Sequence, residues 1–381
     1  MKRTILYVSG TRADYGLMRS VLFRIHNHPG MELHIAATGM HLMPEFGNTI
    51  DEIRKDGFAC HPVSVTYEQD SKESMAIFIG SFIKEFVGLV REIRPDIILL
   101  LGDRGEMLGG AIAGAYLGIP VAHIHGGEVT STADESARHA ITKLSHIHLP
   151  ATVKSAERIV KMGEDPRHVF VVGAPGLDAI RKLPAASVKE VADRYGIDPS
   201  VPLILVIQHP VPLEPGDPAA RMNETLEAAC SFHHQVIVLY PNADAGGRAM
   251  IDVIKKYAAA KKIRSFPSIG HADYLAILQL SSVIVGNSSS GIIEAPSFGV
   301  PAVNIGTRQR GREQGENVID TGYDAGEIAA AIRYALSDEE FKRKVKTATN
   351  PYGNGDISRK IVECLEKIKI SPALLQKRMM Y

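Results

Sequence analysis

Short, almost unbroken apolar runs rich in β-branched residues recur along the chain, at positions 5–8, 33–37, 97–101, 120–124, 169–172, 203–207, 236–239, 283–285 and 301–305. The longer segments between them return apolar residues at helical spacing. A strand with one face in water would alternate apolar and polar residues, and these runs do not. They predict parallel strands buried on both faces and covered by amphipathic helices, an α/β doubly wound architecture. Ligands in such sheets sit beyond the carboxyl ends of the strands. The polar clusters fall there: residues 10–16 follow the first run, 102–106 the third, His209 follows Ile207 and 287–291 follow Val285, while 123–128 close the run that begins at Pro120.

At 381 residues the chain exceeds what one hydrophobic core usually serves, ~250–300 residues, so two domains are expected. The strand rhythm breaks around 173–183, in GAPGLDAIRKLP, which gives an N-terminal Rossmann-like domain over 1–175 and a C-terminal nucleotide-binding one over 176–357. A second turn-rich break, NPYGNGDISRKI, precedes a helical segment, and residues 358–381 are expected to return to the first domain. The 43 Lys and Arg balance 43 Asp and Glu. Without a dominating basic field, neither nucleic acid nor an anionic membrane is expected as a partner, and phosphate binding should be local. No apolar run approaches the ~18 residues of a membrane helix, and MKRTILYVSG reads as a buried strand rather than a signal peptide. Cys60, Cys230 and Cys364 are odd in number and far apart, which suggests neither a disulfide framework nor a thiolate site, and a cytoplasmic location fits. The pairs His123/His125 and His146/His148 have spacing open to a cation, but they read as core or polar-site histidines, and no metal is expected.

The stretch GNSSSGIIEAPSFGVPAVNIGTRQRGR, residues 286–312, concentrates the candidate chemistry. Small residues let backbone N–H groups approach an anion, and a helix start would add free donors and the positive end of its dipole. Arg308, Arg310 and Arg312 cluster after the next apolar run. Ser and Gly in this position are also ordinary turn formers.

The motifs GTRADYG, LGDRGE, HIHGGEVTSTADESARHAITKLSH, QHP, YPNADAGGR, GNSSSGIIEAPSFGVPAVNIGTRQRGRE, GENVID and NPYGNGDISRKI, in that order, resemble the hydrolysing UDP-N-acetylglucosamine 2-epimerases of sialic and related nonulosonic acid synthesis. The resemblance implies a GT-B-like pair of Rossmann-type domains with the UDP-sugar in the cleft between them, UDP and free N-acetylmannosamine as products, no metal or redox cofactor, and a homodimer or homotetramer. The chemistry agrees. Inverting C2 beside an anomeric diphosphate can proceed by removing the C2 proton while UDP leaves, then hydrating the glycal. Proton removal wants a carboxylate or imidazole in a dry site; diphosphate departure wants fixed positive charge and backbone donors.

On that resemblance the catalytic candidates are Asp103, His125, Glu128, Asp134 and His209. The substrate-binding candidates are Arg12, Arg104, Asn242, Arg248, Ser288, Ser289, Ser290, Gly291, Glu294 and Arg308, with Glu294 resembling the family's ribose-binding carboxylate. Plainer roles stand beside these: Arg12 as a helix cap, Arg310 or Arg312 as partners of Glu313 or Glu316, Asp103 as a turn former, Asp134 as an N-cap with Arg138 as its i+4 partner, and His209 as a core histidine. Members of the family often read HIEGGE where this chain reads HIHGGE, so His125 stands in place of a carboxylate. Either His125 is itself a base or proton carrier, as an imidazole can be near neutral pH, or Glu128 or Asp103 takes the vacant role and His125 orients it. Alternative functions are the same reaction on a 6-deoxy-2,4-diacetamido nucleotide sugar, a GT-B glycosyltransferase and a nucleotide-sugar sensor. The acidic and histidine cluster disfavours the last two.

Overall fold

The computed structural model describes residues 2–130 and 133–380. Its strands form two parallel sheets. The first contains β1 (Arg3–Ser9), β2 (Met31–Ala37), β3 (Ala59–Pro62), β4 (Ile97–Leu101), β5 (Val121–Ile124) and β6 (Ile147–Leu149), in the order β3-β2-β1-β4-β5-β6. The second contains β7 (Leu203–Ile207), β8 (Gln235–Leu239), β9 (Arg264–Phe266), β10 (Val283–Gly286), β11 (Ala302–Ile305) and β12 (Val318–Thr321), in the order β12-β11-β10-β7-β8-β9. Counted from its own first strand, each sheet has the order 3-2-1-4-5-6. The winding therefore reverses beside β1 and β4 in one sheet and beside β7 and β10 in the other, and a crevice opens at the carboxyl ends of those strands.

Burial follows the apolar pattern. Every residue of IILLL in β4 and of LILVI in β7 is buried. The helix Lys72–Ile93 starts on the Ser71 side chain, which accepts from the backbone N–H of Ser74, and buries Phe78, Phe82, Phe86 and Val90 at four-residue spacing. Each such side chain contributes about 1.5–3 kcal/mol through burial, enough to hold a helix on a sheet without help from its polar face. Among the described residues, no helix is long and apolar enough to cross a membrane.

The expected strand at 169–172 does not form. Val169 makes one isolated parallel bridge to His148, Phe170 N–H donates to His148 O at 2.8 Å and Val172 N–H to Pro150 O at 3.0 Å. Phe170 and Val172 pack into the core while Val171 is 43% exposed, so the segment lies along β6 as an extended edge with one face in water and no ladder of its own. In the other direction, β3, β6, β9 and β12 went unforeseen, and all four are edges of their sheets. Edge strands are short and tolerate polar residues, as ACHP, RSF and VIDT do.

The helix Ile357–Lys367 buries Ile357, Ile361, Val362 and Leu365 in the apolar cluster that contains Ile5, Tyr7 and Leu22 of the first sheet and the helix after it. Its N-cap, Asp356, has a left-handed φ of 65° and makes no side-chain cap. The cap comes from Asp178, a buried carboxylate that accepts from the backbone N–H groups of Ile357 at 2.8 Å and Ser358 at 2.7 Å. Asp178→Ala should lower the unfolding free energy by about 1–3 kcal/mol, the cost of leaving buried donors unpaired. The reading is a lower urea midpoint at unchanged slope; an unmoved midpoint would show the cap to be dispensable.

Candidate active site

A cavity of about 330 Å³ lies between the carboxyl ends of the two sheets. From the first half it is lined by Arg12, Asp103, Arg104, His125 and Asp134, and from the second by His209, Asn242, Ser288, Ser289, Ser290, Glu294 and Arg308. The loop after β1 is held by Asp14, which is buried and accepts from the N–H groups of Gly10 at 3.1 Å and Thr11 at 2.6 Å. Asp14 N–H donates in return to Thr11 Oγ1, a capping box in which Thr11, not Arg12, caps the helix Arg12–His26 and Arg12 is set at the cavity wall.

The candidate acid–base cluster is built on the turn after β5. His125 has a left-handed φ of 63°, a conformation in which His is tolerated but uncommon. Gly127 follows at φ 74°, where a Cβ would lie 2.2 Å from Ser155 O, so only glycine fits. This tight turn brings His125 Nδ1 to 2.5 Å from Glu128 Oε1. An ionised carboxylate only accepts, so Nδ1–H donates and Nε2 is the imidazole nitrogen with a lone pair to offer. Glu128 is itself buried and lies behind His125 rather than in the cavity wall. Arg312 pairs with it from the second half, and Arg138 is 3.5 Å away. Burial alone would raise the Glu128 pKa; Arg312, His125 and Arg138 outweigh it and hold the carboxyl well below the usual range. Arg138 also donates to His125 O at 3.0 Å and pairs with Asp103.

Asp134 lies in the first turn of the helix Ala133–Leu144 and is not its N-cap. Burial, then the negative charges of Asp103 and Asp244, push its pKa up to about 7 against the pull of Arg308 and Arg104. His209 is tied in the opposite sense. Asn242 N–H donates to its Nδ1 at 3.1 Å, so Nε2 carries the proton, and burial with Arg308 and Arg104 holds its pKa well below the ordinary imidazole value. His209 is thus a neutral donor. Its backbone is fixed by Asn287, whose side chain accepts from His209 N at 2.7 Å and donates to His209 O at 2.9 Å.

The helix after GNSSSG is a single turn, Ser290–Ile293, and Glu294 separates it from another, Ala295–Phe298. Its dipole is correspondingly small, so the charge for an anion rests on the arginines. Arg308 donates to Asn287 O at 3.2 Å. Arg104 donates to Glu106 at 2.8 Å and to Tyr67 Oη at 3.2 Å, and Arg12 pairs with Glu52 and donates to Ser268 Oγ at 2.9 Å. Burial raises the Glu294 pKa, with Ser290 opposing. Ser290 Oγ in turn bonds Tyr274 Oη. Near this wall, His271 Nε2, Thr130 Oγ1 and Asn242 Oδ1 are buried and have no partner among the described residues, an arrangement that a polar ligand would satisfy.

Two expected binding residues lie elsewhere. Arg248 pairs with Glu45 at 3.0 Å outside this cavity. Gly291 packs on β11, where a Cβ would come within 3.2 Å of Ala302 Cβ. Arg312 meets Glu128 rather than Glu313 or Glu316. Arg138 and Asn287 position the site, yet their partners are distant in sequence and no local signal marks them. Ser268, His271 and Tyr274 follow β9, the edge strand that apolar patterning overlooks. Among the described residues, no group of His, Cys, Asp and Glu is arranged to hold a metal ion; His123 bonds Gly102 O at 2.7 Å, and burial lowers its pKa to about 3.

Residues 24–366 match the family described as UDP-N-acetylglucosamine 2-epimerase. The chain is 42% identical over 378 residues, 99% of each chain, to UDP-N,N'-diacetylbacillosamine 2-epimerase (hydrolyzing) of Legionella pneumophila. It is 38% identical over 359 residues, 93% of this chain and 92% of the other, to UDP-N-acetylglucosamine 2-epimerase of Neisseria meningitidis. The crystal structure of UDP-GlcNAc 2-epimerase from Neisseria meningitidis bound to UDP-GlcNAc superposes with a TM-score of 0.80 at 20% identity, covering 96% of this chain and 100% of that one. That likeness bears out the fold, a GT-B-like pair of Rossmann-type halves.

The Glu128 network has a pH signature. Because the folded carboxyl titrates below its unfolded value of about 4.3, its contribution is fully present above that pH and is lost as pH falls through the folded pKa. Glu128→Gln should therefore melt below wild type at neutral pH, by the equivalent of about 3–5 kcal/mol for breaking a buried ion pair. The gap should narrow as pH falls below about 4.3, and a gap independent of pH would contradict the assignment.

Proposed function

The chain belongs to the UDP-N-acetylglucosamine 2-epimerase family, and we propose that it is a hydrolysing member acting on a UDP-linked 2-acetamido sugar. The observation that carries this reading is the meeting, in one cavity, of His125, Asp103 and Asp134 from the first half with His209, Arg308 and the 288–290 turn from the second. The first set moves protons. The second suits a leaving diphosphate.

In the proposed reaction His125 Nε2 takes the C2 proton, and the C2–H electron pair becomes the C1=C2 bond as the C1–O bond breaks and its pair leaves with UDP. Arg308, Arg104 and the neutral Nε2–H of His209 stabilise the charge that develops on the diphosphate. Water then adds its hydroxyl to C1 and releases its other proton to solvent, as His125 does the proton it took, while C2 gains a proton on the opposite face. Asp134, with a pKa of about 7, is half protonated at neutral pH and supplies that proton. Asp103, ion-paired with Arg138, places negative charge beside C1 as it becomes electron-poor. That Glu128 stands behind His125 supports His125 as the base and Glu128 as its anchor. For the sugar, the 42% identity to the Legionella pneumophila enzyme over 99% of both chains favours UDP-N,N'-diacetylbacillosamine, with UDP-N-acetylglucosamine as the second candidate.

Incubated in deuterium oxide with each nucleotide sugar, the protein should release UDP and a free 2-epimerised sugar carrying deuterium at C2, read by NMR. The diacetamido substrate should show the higher kcat/KM. Retention of the original C2 hydrogen would exclude elimination, an epimerised sugar still joined to UDP would exclude hydrolysis, and a higher kcat/KM for UDP-N-acetylglucosamine would reverse the substrate order.

A further inference from the structure

The loop after β8, PNADAGGR at 241–248, enters the helix Gly247–Ala259 through Gly246, which has a left-handed φ of 95° and no side chain to cap with. The cap reaches it from the other side of the cleft. The Asp70 carboxylate, just before the helix Lys72–Ile93 of the first half, accepts from Gly246 N–H at 2.7 Å and Arg248 N–H at 3.1 Å. A carboxylate on free N–H groups at a helix start is favoured by both hydrogen bonding and the dipole. Beside it Arg248 pairs with Glu45, and Ile251 is buried in the first-half cluster that contains Phe46, Tyr67 and Phe78.

This loop also carries two groups that set the chemistry of the cavity. Asn242 N–H fixes the His209 tautomer, and Asn242 Nδ2 donates at 2.5 Å to Asp244. Asp244 lies 3.9 Å from Arg104 and is one of the negative neighbours of Asp134. We propose that Asp70 is a positioning residue of the active site: as a helix cap delivered across the cleft, it holds the 241–248 loop so that Asn242 stays on His209 and Asp244 stays beside Asp134.

The groups around Asp134 define what its loss would do. Asp103 and Arg104 face it from the turn after β4, Asp244 from the loop after β8 and Arg308 from the segment after β11. Arg138 lies one turn along its own helix, and His125 and His209 share the cavity. Of these, only Asp244 belongs to the loop that Asp70 caps. Releasing the loop removes a negative neighbour, so the Asp134 pKa falls from about 7 toward the ordinary carboxylate value. Asp134 must be protonated to act as an acid, so the alkaline limb of kcat moves to lower pH.

The activity readout rests on the hydrolysing 2-epimerase reading, so the test pairs it with one that does not. Wild type, Asp70→Ala and Asp70→Asn are compared by kcat against pH and by small-angle scattering. Asp70→Ala should lower kcat about tenfold, shift the alkaline limb downward and enlarge the radius of gyration, while Asp70→Asn, which keeps one acceptor, should fall between. A lower melting temperature with an unmoved limb would reduce Asp70 to a structural role and overturn the inference. If wild type lacks hydrolytic turnover, the functional reading fails by itself, and scattering still decides whether the Asp70 cap holds the two sides of the cleft together: an unchanged radius of gyration in Asp70→Ala overturns it.

Discussion

A single buried carboxylate ties the proposed proton chemistry of this protein to its two-part architecture. Glu128 takes Nδ1–H of His125 on one oxygen and Arg312 on the other, with Arg138 close by. An unpaired ion so deeply buried would be prohibitive, so its partners must be in place for the fold to exist. One partner, Arg312, lies on the opposite half of the molecule. The carboxylate that orients the imidazole is therefore completed only when the two halves meet. Arg138 extends the network to Asp103, and Asp134 stands beside it with the negative charges of Asp103 and Asp244 nearby. One charge arrangement thus holds Glu128 ionised and leaves Asp134 titrating near neutrality, two carboxyls driven apart by their surroundings.

The winding of the sheets explains why these groups converge. Both halves reverse direction beside their first strand, and the two reversal crevices face each other. The loops after β4 and β5 bring Asp103 and His125, those after β1 and β4 bring Arg12 and Arg104, and those after β7, β10 and β11 bring a neutral histidine donor, serines and Arg308. Helix caps borrowed from distant segments, Asp178 on Ile357–Lys367 and Asp70 on Gly247–Ala259, join parts that the sheets alone leave unconnected.

How much of this was legible in the sequence depends on what each residue responds to. Central strands such as IILLL are buried on both faces and announce themselves, whereas β3, β9 and β12 sit at sheet edges with partly exposed residues, and β6, though buried, is three residues long and interrupted by His148. Site residues at the carboxyl ends of recognisable strands, Asp103, His125 and His209 among them, could be found by position and motif and do line the cavity. Arg138, Arg312 and Asn287 could not be given their roles, because each acts on a partner set by tertiary structure. Arg248 and Gly291 lie in motifs shared with the site but serve an ion pair across the cleft and a close helix–strand contact. A motif marks a segment, and the fold decides which of its side chains face the ligand.

The central claim is that His125 performs the proton transfer and Glu128 holds it in place. Its most direct measurement is the rate of solvent deuterium entry at C2 in His125→Ala and Glu128→Gln, compared at neutral pH under conditions where circular dichroism shows both folded. The account predicts a loss of about 10²–10⁴-fold for His125→Ala and a smaller one for Glu128→Gln, whose amide oxygen can still accept from Nδ1–H. A larger loss in Glu128→Gln, with exchange persisting in His125→Ala, would contradict it.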